Sequence, residues 1–181
     1  MKKWFALMLA ALMLMTSALA LADGAVLMVE LPDDAQMIEN IEFEDGEFIQ
    51  TYQLANGVSV QLLRYVGFEM SLEELIASDW PENCGVQMGE LTEISGYPAS
   101  HAYIWQIVDS NGYPVAPTGP ELSEGQQMME IDLIMVTVGN ETLIYQDSYI
   151  SGQRGDGVLP IIDSLKVLPG EAVGDSTAEV G

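Results

Sequence analysis

Cations are scarce in this 181-residue chain: five Lys and Arg stand against 28 Asp and Glu, a formal net charge of −23. A field of that sign repels polyanions, which argues against DNA, RNA and anionic lipid surfaces as partners. Cysteine is scarcer still. The single Cys84 rules out an intramolecular disulfide, so the fold must stand on its core of Ile, Leu, Val and Met. One cysteine and one histidine, His101, fall short of the four nitrogen and sulfur ligands of a structural zinc site. Serine catalysis would draw on the same His101 and finds no G-x-S-x-G elbow. Beyond residue 22 no apolar run approaches the roughly 18 residues of a membrane helix.

The opening of the chain reads as an address. Lys2 and Lys3 precede the apolar FALMLAALMLM (5–15), and SALALA ends in the small residues that signal peptidase reads. Cleavage after Ala22 leaves 159 residues, the size of one ordinary domain. It removes two cations and no carboxylate, so the net charge becomes −25. The expectation is a removed signal peptide over 1–22, a single domain over 23–169, and a disordered acidic tail over 170–181. The mature protein is then secreted or extracytoplasmic and not an integral membrane protein.

Within 23–169 the punctuation is that of hairpins. Asp45-Gly46 and Asn56-Gly57 separate IEFE, EFIQTYQL and VSVQLLRYV, supplying the positive φ angles of tight turns. VLMVEL (26–31) reads as a strand before this meander. SLEELIASDW carries a capping box, Ser71 with Glu74, a stripe of Leu72, Leu75 and Ile76, and Pro81 as its stop. Strands are expected near 86–94 and 101–108. MEIDLIMVTV (129–138) and TLIYQDSYI (142–150) pair about Gly139-Asn140, the first apolar on both faces as a central strand should be. GVLPIIDSLKVL places Ile161, Ile162, Leu165 and Leu168 at helical spacing. The Pro/Gly-rich 109–127 stretch reads as an excursion or a disordered loop ahead of a binding lid.

Few residues carry candidate chemistry. Gly96, Pro98 and Tyr97 write a bend between strands, with Tyr103, Trp105 and Ile107 sharing one face beyond His101. Cys84 with His101 would be a thiol hydrolase dyad, but Cys84 lies in a helix-to-strand connection without a cysteine-enzyme signature. The acidic hairpin of Glu39, Glu42, Glu44, Asp45 and Glu47 offers oxygens to calcium, with Glu42, Glu44, Asp45 and Glu47 as candidate ligands; it lacks a D-x-D-x-D-G loop and reads as a solvated face ahead of a calcium site. Arg154-Gly155-Asp156 spells an adhesion tripeptide, while Asp156 also suits an N-cap. Arg64 falls in phase with Val58, Val60, Leu62 and Val66, an apolar row, and so requires an internal carboxylate partner or anchors a ligand. Arg64, Tyr97 and His101 are the candidate ligand-binding side chains.

The order of elements, with SLEELIAS (71–78), EISGYPASHAYIW (93–105), the 129–150 hairpin and IIDSLKV (161–167), resembles the PsbP-like superfamily of small α/β domains over roughly residues 58–168. Its members include an extrinsic protein of photosystem II, a Ran-binding nuclear protein and many exported bacterial proteins. The resemblance implies an antiparallel meander with two helices packed against it, an α+β fold, put mostly to non-enzymatic binding or assembly. The resulting expectation is a non-catalytic binding or accessory domain with an unknown protein or small-molecule partner and no cofactor. A calcium-binding module is the alternative, and a thiol hydrolase the second.

Overall fold

Glycine at left-handed backbone angles sets the turns. A computed structural model describes residues 24–80, 84–116, 122–151 and 158–168. The expected signal peptide (1–22), the Pro81 helix stop, the Arg154-Gly155-Asp156 tripeptide with the Asp156 cap, the middle of the 109–127 stretch and the expected tail (170–181) all lie outside these residues. Gly46 (φ 82°) and Gly57 (φ 90°) each close a three-residue loop. There the residue before the loop, Phe43 or Leu54, donates its N–H to the residue after it, Glu47 or Val58. These loops join β2 (Gln36–Glu42), β3 (Phe48–Gln53) and β4 (Ser59–Val66). Ser95 and Gly96 both take positive φ, the two central residues of a tight turn between β6 (Glu93–Ile94) and β7 (Tyr97–Val108). The bend expected at Gly96–Pro98 is therefore sharper and earlier, with Tyr97 and Pro98 already in the strand. Ser95 is held there because its Oγ accepts the Val167 N–H at 3.0 Å.

The large sheet is antiparallel throughout. Its order is β2-β3-β4-β9-β8-β7-β5, with β6 added on β7, where β5 is Gly85–Met88, β8 Gln127–Val138 and β9 Glu141–Ile150. A two-stranded sheet pairs β1 (Val26–Met28) with β10 (Lys166–Leu168). Six consecutive residues of β8, Ile131 to Val136, are buried, because the strand is central and both its faces are covered. Leu27, Val58, Val60, Leu62, Ile134, Val136, Leu143, Tyr145, Ile161 and Val167 build the core on one face. Ile104, Ile131, Leu133, Met135 and Ile144 meet Leu72, Leu75 and Ile76 of α1 (Leu72–Asp79) on the other. Eight residues are too few for a helix to persist alone. Three buried side chains at roughly 1.5–3 kcal/mol each hold α1 in place, and its capping box is complete, Ser71 Oγ accepting from Glu74 N–H while the Glu74 carboxylate accepts from Ser71 N–H.

The α+β architecture expected from the sequence, with two helices packed on the sheet, is corrected. Strand dominates and the helices are short: α1 has eight residues and α2 (Val158–Asp163) six. The helical reading of the last segment holds as far as Asp163 and not to Leu168, because a brief apolar run fits either period. The helix ends at Asp163, and the following residues pair with β1, which puts Val167 in the core and leaves Leu168 exposed. The strand expected over 86–94 is two separate strands, β5 and β6, and β1 belongs to the small sheet rather than the meander. Among the described residues no helix is long and apolar enough to cross a membrane.

Candidate functional site

Arg64 sits on β4 in its apolar row, only 3% exposed. Its Nη2 donates to Glu141 Oε1 at 2.8 Å and its Nη1 to the Gly46 carbonyl at 2.9 Å. The other oxygen of Glu141 accepts the Ala25 N–H at 2.7 Å. Gly24 packs on the guanidinium so closely that a Cβ there would overlap it. The cation is thus consumed inside the protein, three strands from β7, which carries Tyr97 and His101. Tyr97 packs half-buried on the core beside the β6–β7 turn. The three candidate ligand-binding residues do not form one site.

His101 belongs to a polar cluster that the sequence reading did not find. Asp132 and Asp147 face each other across β8 and β9, both fully buried. His101 Nε2 lies 2.8 Å from Asp132 Oδ1, and Tyr149 donates its hydroxyl to Asp132 Oδ2 at 3.1 Å. Tyr145 donates to Asp147 Oδ2 at 2.7 Å, and Asp147 Oδ1 accepts the Asp132 N–H at 3.3 Å. Burial, and after it the charge of Asp147, pushes the Tyr145 hydroxyl far above the ordinary tyrosine range. Buried carboxylates need such donors, because desolvation alone would cost several kcal/mol. Both carboxylates lie in the buried core, each with a tyrosine hydroxyl as donor.

Cys84 and His101 are not brought together. Gly85 pairs with Trp105, so Cys84 lies opposite Gln106, five residues along β7 from His101, about 16 Å at strand rise. Cys84 packs with the α1-side core, whereas His101 reaches Asp132 on the opposite face. Burial also raises the Cys84 thiol above its ordinary value, against thiolate chemistry.

The acidic hairpin does not converge either. Glu42 accepts from Asn40 Nδ2, and Glu47 accepts the Val66 N–H at 2.9 Å. Among the described residues no group of three or more Asp, Glu, His or Cys side chains gathers in a way that could hold a metal ion.

Among the described residues a hollow of about 240 Å³ lies between α1 and the sheet, on the face opposite the polar cluster. Leu63 and Tyr65 of β4, Phe68 and Met70 of the following turn, Leu75, Ser78 and Asp79 of α1, Trp80, and Leu133, Ile144 and Gln146 of the central strands line it. The Tyr65 and Phe68 rings stack with centroids 5.4 Å apart. Asp79 stands exposed on its wall. Burial first, then the carboxylates of Glu47 and Asp79, raise the Tyr65 hydroxyl above its ordinary value. Two carboxylates, Glu47 and Asp79, thus act on Tyr65 in the lining. These residues come from one helix, one turn and three strands, which is why no short motif marked them.

No family model matches the chain, and no curated protein matches it. Function therefore rests on the geometry. An apolar hollow with a few polar groups is the usual form of a small-molecule site, and this one adds three aromatic rings and a carboxylate.

Proposed function

We propose that the protein is a non-catalytic binding domain, secreted or held outside the cytoplasmic membrane, whose site is the hollow beside α1. The occupant is an apolar or aromatic group bearing positive charge, either a small organic cation or a basic side chain of a partner. The observation that carries this reading is the lining: Tyr65, Phe68 and Trp80 in one hollow with Asp79 on its wall. Aromatic faces attract cations, by about 0.5–2 kcal/mol according to solvation. The charge of −25 on residues 23–181 raises the local cation concentration further. The resemblance to PsbP-like domains, used mostly for binding and assembly, weighs on the same side as an analogy. No nucleic acid is a fitting ligand for such a field.

Trp80 supplies the test. In residues 23–181 the tryptophans are Trp80 and Trp105, so a Trp105→Phe variant reports from the hollow alone. Titration with benzyltrimethylammonium should change Trp80 emission saturably, while benzenesulfonate, of similar shape and opposite charge, should not. Phe68→Ser should abolish the response. Equal responses to both probes, or none to either at millimolar concentration, would contradict the proposal.

A further inference from the structure

Among the described residues the outer strand β2 is open on one side. It pairs there with β3 alone, at the end of the eight-stranded sheet, and all seven of its residues are exposed. Among the described residues ten large hydrophobic side chains are exposed, and four fall in this short stretch: Met37, Ile38 (61%), Ile41 and Phe43 (48%). Because Phe43 donates its N–H to Glu47, the antiparallel alternation directs the N–H and C=O of Asn40 and Glu42 away from β3. Ile41 and Phe43 project to one face, Asn40 and Glu42 to the other. Residues 33–53 contain seven carboxylates and no Lys, Arg or His.

An open strand edge with apolar side chains is a template for another strand. We propose that β2 takes up an extended, basic segment of a partner protein as an added antiparallel strand. That segment would alternate apolar residues, beside Ile41 and Phe43, with Lys or Arg beside Glu42. A second copy of this chain is disfavoured for two reasons. Pairing β2 with itself brings together two strands of the same negative sign, and the bulge at Ile38, where the register shifts between Met37 and Glu39, kinks the edge against a flat self-match. The edge thus resists its own kind while remaining open to a partner of opposite charge. This surface is separate from the α1 hollow and rests on different residues.

The test uses residues 23–181 and a labelled peptide of alternating Val and Lys, with an alternating Val and Glu peptide as control. Anisotropy should show saturable binding of the cationic peptide and none of the acidic one. Hydrogen exchange at the Asn40 and Glu42 amides should slow at least tenfold in the complex. Asn40→Pro removes an outward donor without removing a bond to β3, and should weaken binding at least tenfold while retaining the melting transition. Glu42→Lys gives a second variant should the proline disturb the hairpin, with the same loss expected. Undiminished binding by both variants would mean general attraction to an acidic surface and would overturn the proposal. So would failure to bind the cationic peptide, or self-association of the chain abolished by Asn40→Pro.

Discussion

Glu141→Gln should be among the most damaging isosteric changes in this protein. The side chain keeps its shape but loses its charge, and the Arg64 guanidinium, 3% exposed, is left with the Gly46 carbonyl and a neutral amide. The carboxylate now accepts twice, from Arg64 and from the Ala25 N–H; an amide offers one oxygen, so one of these donors also faces an N–H₂ group. Removing one partner of a buried pair costs about 3–5 kcal/mol, and the 16% exposure of Glu141 places the expectation at the lower end, about 3 kcal/mol. For a domain of this size that lowers Tm by roughly 6–12 °C. Arg64→Met should cost less, about 1–2 kcal/mol, because Glu141 keeps the Ala25 donor and access to water. The double variant should be more stable than the sum of the single losses predicts, by about 1–3 kcal/mol. Urea unfolding of the four proteins, with the slope checked for constancy, measures the cycle. A Glu141→Gln cost under about 0.5 kcal/mol, or strict additivity, would refute the account of Arg64 as a buried cation dependent on one carboxylate.

Other consequences are simpler. Tyr145 keeps its proton in the folded state well above pH 10, where the unfolded chain loses it, so stability contributed below pH 10 is lost as pH rises. The slope should approach about 1.4 kcal/mol per pH unit and flatten in Tyr145→Phe, as read by unfolding between pH 9 and 11. Ser71→Ala removes the acceptor of the Glu74 N–H and should cost about 1 kcal/mol in a thermal or urea melt. Gly85→Ala drives a Cβ into the Trp105 ring, which must move. A cost of at least about 2 kcal/mol, with an altered near-ultraviolet dichroism of Trp105, is expected; an unchanged spectrum would contradict the close packing.

Much of the sheet was legible because its signals are local. Asp45-Gly46, Asn56-Gly57 and Gly139-Asn140 mark turns through backbone angles that few residues adopt, and the box at Ser71 and Glu74 marks the start of α1. Arg64 was conspicuous among alternating apolar residues, but its partner Glu141 lies 77 positions away, and nothing in the intervening sequence names it. The pairing of β1 with β10 is equally remote, and without it the apolar end of the chain reads as well at a helical period as at a strand period. Asp132 and Asp147 did have a signal. Each interrupts an apolar central strand, and Tyr145-x-Asp147-x-Tyr149 puts two hydroxyls and a carboxylate on one face. The hollow had none, since its aromatic residues acquire a common purpose only when α1 folds back over β4, β8 and β9.

The most direct measurement is a ¹⁵N–¹H correlation spectrum of residues 23–181 during titration with benzyltrimethylammonium. The account predicts saturable shifts confined to the backbone of Tyr65, Phe68, Leu75 and Ile144, the Trp80 indole N–H and the Gln146 side-chain amide. Shifts spread over the exposed carboxylates, or centred on the acidic hairpin at 39–47, would show an ion atmosphere instead of a site and would contradict it.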